Sequence, residues 1–135
     1  MKIEIEALVN GSREQIWDAW VNPNKITKWN FASEDWCCPK AQVDLRVGGQ
    51  FSHRMEAKDG SMGFDLNGIY TKVDEHKALS MELKDGRIVD ITLELTDDGI
   101  LVREVFEAEN QNPPEMQKAG WQAILNNFKA FVESN

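Results

Sequence analysis

One stripe near the end of the chain limits its fold more than any other feature. Trp121, Ile124, Leu125, Phe128, Phe131 and Val132 recur at i, i+3, i+4, i+7, i+10 and i+11. That spacing puts all six on one face of an α-helix, with Gln122, Asn126, Lys129 and Glu133 on the other side. Upstream, Asn112-Pro113-Pro114-Glu115 predicts the helix start. It combines a cap residue, Pro in the first turn and an early acid that suits the helix dipole. A helix of roughly 20 residues is about 30 Å long, enough to cross a small sheet.

The rest of the chain supplies that sheet. Residues 2–9 alternate, with Ile3, Ile5, Ala7 and Val9 on one face and Lys2, Glu4 and Glu6 on the other, as in a half-buried strand. Ser12 and Gln15 have capping-box spacing and open a short helix, in which Ile16 and Trp20 share the buried face beside Trp17. Asn22-Pro23-Asn24 breaks it, and a second short helix carries Ile26 and Trp29. Residues 30–40 lack a period and read as an aromatic-rich loop. Period-two runs follow at about 41–47, 50–57, 62–73, 77–83, 87–95 and 100–107. Gly48-Gly49, Asp59-Gly60, Asp85-Gly86 and Asp98-Gly99 lie between runs and suit tight hairpin turns; Asp74-Glu75-His76-Lys77 makes a fifth, polar turn. The expected fold is α+β: a curved seven-stranded antiparallel sheet wrapped around a long C-terminal helix, with two short helices between strands 1 and 2. No repeat or linker divides it, so residues 1–135 are expected to form a single domain.

Composition removes several functions. The net charge is −8, from 23 acidic and 15 basic side chains, so the surface repels a phosphate backbone and an anionic leaflet. Nucleic acid is therefore not an expected partner, and no apolar run is long enough for membrane insertion. The N-terminal residues lack the continuous apolar core of a signal peptide, and the two cysteines, Cys37 and Cys38, are adjacent and poorly placed to bridge each other. Both features fit a reduced, cytoplasmic protein. Two histidines and no HExxH spacing argue against a metal site. No P-loop, G-x-G-x-x-G or G-x-S-x-G element is present, and no cofactor is expected.

A sheet that buries one face needs a cover, and the C-terminal stripe is the only sizeable one. A straight helix cannot fill the hollow of a strongly twisted sheet, so a pocket is expected between them. Strand parity and the stripe name its residues: Trp29, Phe31 and Trp36 near the mouth; Phe51, His53, Met55, Phe64, Leu66, Tyr70 and Glu104 from the strands; Trp121, Leu125 and Phe128 from the helix. Trp29, Phe31 and Trp36 either gate the mouth or tie a loop to the sheet. Gly68 either leaves room for a ligand or helix or bends a long strand. His53 and Glu104 are the polar residues at inner parity. They either anchor a ligand or move protons, or simply pair with each other, with Tyr70 or with water.

Several segments taken in order resemble a known family. They are Asp44-Leu45-Arg46-Val47-Gly48-Gly49, Ala57-Lys58-Asp59-Gly60-Ser61-Met62-Gly63-Phe64-Asp65, Gly68-x-Tyr70, Glu109-Asn110 and Gly120-Trp121-Gln122-Ala123-Ile124-Leu125. The chain is similar in these to the bacterial branch of the activator of heat-shock protein 90 ATPase homologues, within the START and pollen-allergen-like (SRPBCC) superfamily. The resemblance implies the helix-grip fold and a deep pocket for hydrophobic or amphipathic small molecules such as lipids, polyketides or flavonoids. The eukaryotic activators carry a further N-terminal chaperone-binding domain, for which 135 residues leave no space.

Three functions remain. The first is a binding protein for a hydrophobic small molecule. The second is a polyketide cyclase-like enzyme using His53 or Glu104 as base. The third is a co-chaperone-like module, for which chaperone contact would be the activity to find.

Overall fold

In the computed structural model, residues 1–134 are described. Seven strands form one antiparallel sheet: β1 (Lys2–Val9), β2 (Trp36–Val43), β3 (Gln50–Ala57), β4 (Gly63–Asp74), β5 (Ala78–Leu83), β6 (Ile88–Thr96) and β7 (Gly99–Glu107). Their order is β1-β7-β6-β5-β4-β3-β2. Consecutive strands from β2 to β7 are hairpin neighbours, and β1 closes the far edge by pairing with β7, Lys2 opposite Glu107 and Val9 opposite Ile100. The link from β1 to β2 must therefore travel from one edge of the sheet to the other. It does so through α1 (Arg13–Val21) and α2 (Pro23–Ile26). Ser12 caps α1 by accepting from the Gln15 amide at 3.0 Å, and Asn22 caps α2 by accepting from the Asn24 amide at 3.0 Å.

The turns behave as their residues predict. Gly48, Gly60, Gly86 and Gly99 all have positive φ, and His76 adopts φ 69° in the fifth turn. Gly68 is decided by its neighbour. A Cβ there would stand 2.2 Å from the Glu82 carbonyl oxygen and 2.9 Å from Leu83 Cα, so β5, not a ligand or a helix, requires the glycine.

Two boundaries differ from the sequence reading. The strand expected at 41–47 runs from Trp36 to Val43, inside the segment read as a loop. Pro39 obscured it. This strand lies at the sheet edge, where a missing N–H is tolerated, and the register shifts between Cys37 and Lys40. Residues 44–47 alternate but turn instead, with the Arg46 amide bonding the Asp44 carbonyl and the Gly49 amide bonding that of Arg46. Met62, just before β4, and Leu95, near the end of β6, would share the inner parity of their strands but are exposed.

The long helix α3 spans Pro114–Glu133. Its N-cap is Pro113, not Asn112. The Asn112 amide and side chain bond the Glu109 carboxylate instead. The polar side of α3 straps edge strand β1: Gln122 Nε2 donates to the Glu6 carbonyl at 3.1 Å, Lys129 Nζ to the Leu8 carbonyl, and Glu133 accepts from the Asn10 amide at 3.0 Å. These bonds occupy backbone groups that would otherwise invite another strand. No helix among the described residues is long and apolar enough to cross a membrane.

Candidate functional site

The apolar stripe of α3 meets two different environments. Towards its C-terminus, Leu125, Phe128 and Val132 are fully buried. Phe128 lies edge-on to Trp20 and to Trp29, each at 4.8 Å between ring centres, and those two indoles are 5.1 Å apart. Trp29 Nε1 donates to the Ala19 carbonyl at 3.0 Å, which ties the segment after α2 back to α1. That end is solid.

Towards the N-terminus of α3 a cavity of about 390 Å3 remains between helix and sheet. An engineered apolar cavity of about 150 Å3 accepts benzene; this space is more than twice as large. Trp121, Gly120, Gln117 and Ile124 line it from the helix; His53, Met55, Phe64, Leu66, Met81, Leu83, Val89 and Glu104 line it from the sheet. Trp20, Trp29 and Asn30 close the inner end, while the exposed Phe64 and Met116 stand at the rim. Trp121 is held flat against Phe106, with ring centres 3.9 Å apart and planes 9° from parallel.

Of the residues expected from the sequence, Trp29, His53, Met55, Phe64, Leu66, Glu104 and Trp121 line this cavity. The others do not. Leu125 and Phe128 belong to the solid end. Phe51 and Tyr70 are buried against each other, ring centres 5.1 Å apart, and burial raises the Tyr70 phenol's pKa. Phe31 is half-buried, and its carbonyl accepts from the Asn127 side chain, so it fastens the loop to α3. Trp36 starts β2, 6.1 Å from Phe64. Among the lining residues not foreseen, Met81 and Leu83 alternate along β5 and were open to the same parity argument. Asn30 carries no local signal, because its place depends on a tertiary contact.

His53 and Glu104 do not form the pair considered from the sequence. Asn30 Nδ2 lies 3.1 Å from His53 Nδ1. With the amide nitrogen donating, Nδ1 accepts and the ring proton sits on Nε2. Nε2 is buried with no hydrogen-bond partner among the described residues. Burial lowers the imidazole from its ordinary 6.5 to about 4, so it is neutral at pH 7. Burial pushes the nearby Cys38 thiol up, against smaller opposing effects of Asn30 and the Lys40 backbone, and its Sγ lies 3.7 Å from the Lys40 carbonyl oxygen. Glu104, on β7 between the fully buried Val102 and Phe106, is itself buried. Burial raises its carboxyl from 4.5 to about 8. Arg87, the cationic side chain on the lining, is engaged elsewhere, with Asp85 Oδ2 at 2.8 Å and the Glu107 carbonyl at 3.4 Å. Gln117 is likewise occupied: it accepts from the Glu109 amide at 2.9 Å and donates to the Glu109 and Asn112 carbonyls at 3.1 and 2.8 Å, fixing the loop before α3.

A curled antiparallel sheet closed over one long C-terminal helix, with space left between them, defines a helix-grip domain of the SRPBCC kind. The chain belongs to the family described as Activator of Hsp90 ATPase homolog 1-like protein, which matches residues 10–133. Its fold is that of an AHSA1-like protein from Aeromonas hydrophila known from solution NMR, at 48% identity and a TM-score of 0.93, covering 99% of this chain and 93% of that one. A Cytophaga hutchinsonii protein is 44% identical, with a TM-score of 0.85 over 99% and 93% of the two chains. A Chromobacterium violaceum protein at 24% identity shares the fold alone, with a TM-score of 0.88 over 100% and 99%. No curated protein matches the chain significantly.

Proposed function

We propose that the chain, as one domain over residues 1–135, is a small-molecule binding protein. It holds a hydrophobic or amphipathic ligand, of lipid, polyketide or flavonoid type, between the sheet and the N-terminal half of α3. The observation that carries this reading is the unfilled 390 Å3 under Trp121. Proteins seldom leave so much apolar surface uncovered beneath a helix, because its lining forfeits packing contacts. Gly120 supports it. A helix-interior glycine costs about 1 kcal/mol relative to alanine, yet a Cβ at Gly120 would meet nothing within 4 Å. The glycine therefore relieves no clash with the protein and leaves the cavity wider.

The cyclase-like alternative fits the wall less well. A base needs a free lone pair, and the His53 lone pair is taken by Asn30, while Glu104 carries its proton at pH 7. The family's descriptive name is the support for a chaperone partner.

The test is a thermal-shift screen with lipids, flavonoids and polyketides. A bound ligand raises Tm with concentration as RT ln(1 + [L]/Kd). A flat response across the library overturns the proposal.

A further inference from the structure

The Glu104 carboxyl is the least expected feature of the cavity wall. It lies at the centre of β7, opposite Ile5 on β1 and Ile91 on β6. It lines the cavity, and among the described residues no hydrogen bond or cation reaches it. An ionised carboxylate in that position would be severely destabilising, so the group is carried as the neutral acid. Its raised proton affinity, caused by burial, agrees. A neutral acid donates one hydrogen bond. His53 on the same lining offers a second N–H, at Nε2, because Asn30 holds the other nitrogen. Trp20, Trp29, Trp121 and Phe64 give the lining broad aromatic surfaces, and its other polar side chains are engaged: Asn30 with His53, Arg87 with Asp85, and Glu109, Asn112 and Gln117 with one another. The polar groups of the lining left without a partner, the Glu104 carboxyl on β7 and His53 Nε2 on β3 with three strands between them, are therefore both donors, and the aromatic surfaces suit flat rings.

We infer that the cavity selects a flat, uncharged molecule of two or three rings through a carbonyl-type oxygen that accepts a hydrogen bond from the Glu104 carboxyl group. This inference rests on the binding reading above and narrows it to one ligand chemistry. It excludes cationic amphiphiles as the preferred class, because they would require Glu104 as a carboxylate.

Three probes of matched shape test it: fluorene, fluorenone and the fluorenyl ammonium ion. Affinities would be measured by calorimetry on the full chain at pH 7. The expected order places fluorenone about tenfold tighter than fluorene, the effect of one buried hydrogen bond, and the ammonium ion weakest. The carbonyl stretch of bound fluorenone should shift to lower frequency. Glu104→Leu should bring the fluorenone-to-fluorene ratio to about one and remove the shift, whereas Glu104→Gln, which keeps a donor, should retain most of both. Equal binding of fluorene and fluorenone by the wild-type chain overturns this inference and leaves the binding reading standing. Tightest binding of the ammonium ion, lost in Glu104→Gln, also overturns it in favour of a counter-ion role. Binding of none of the three overturns this inference, and the thermal-shift screen then decides the binding reading by itself. Should Glu104→Leu fail to fold, the wild-type affinity order and the Glu104→Gln spectrum still decide.

Discussion

The two ends of α3 carry the same kind of side chain and face the same sheet, yet one is packed and the other is hollow. Around Leu125, Phe128 and Val132 the core is solid. Around Gln117, Gly120 and Trp121 about 390 Å3 stays open. The difference lies in the covering elements. Helix α1 and the segment after α2 bring Trp20 and Trp29 onto Phe128, and among the described residues nothing equivalent fills the space beneath Trp121. The stripe is packed at one end and leaves open space beneath it at the other, so on the proposed reading stability and binding are separated along a single helix.

Mutations can break or sharpen that division. The largest effect is expected at the solid end. Phe128→Ala should cost about 3–5 kcal/mol in denaturant unfolding, and Ile124→Ala at the chamber should cost far less. Equal losses would mean that the two ends are packed alike.

Next comes Glu104. Replacing an unpartnered buried acid by a hydrocarbon of similar size removes a desolvation penalty, so Glu104→Leu should stabilise the chain by about 1–3 kcal/mol. A loss of stability would show that the carboxyl has a partner in the folded state.

The same group sets a pH dependence. The Glu104 proton is retained in the folded chain up to about 8 but released from the unfolded chain near 4.5. Between those values the folded state holds the extra proton, and stability falls as pH rises. His53 acts in the opposite sense. Its folded value is about 4 against 6.5 unfolded, so over that range stability rises with pH. The two contributions oppose each other between 4.5 and 6.5 and leave a net fall from 6.5 to 8, at most about 1.4 kcal/mol per pH unit. Urea midpoints across this range should show the fall in the wild-type chain and not in Glu104→Leu. The smallest effect is expected from Gly120→Ala, a gain of up to about 1 kcal/mol from helix propensity alone.

Much of the architecture could be read from local pattern. Alternation located most strands, the Gly-containing pairs located the hairpins, and the stripe located α3. Pro39 hid β2, because its tolerance depends on that strand's position at the sheet edge, which local pattern does not reveal. The cavity was legible in part for the same reason. Parity brought His53, Met55, Phe64, Leu66 and Glu104 to one face. Helical spacing alone could not separate Trp121 from Phe128, since the open end of the stripe is decided by where α1 and α2 dock. Nor could any period reveal that Asn30 would occupy His53 Nδ1 and fix the ring as a donor.

The chamber itself is tested most directly by filling it from within. Gly120→Phe places a ring where a Cβ meets only open space, and its thermal response to fluorenone can be compared with that of the wild-type chain. The account predicts a variant that is folded, at least as stable, and no longer shifted by the ketone. A variant that destabilises the fold, or that responds to fluorenone as the wild type does, would contradict it.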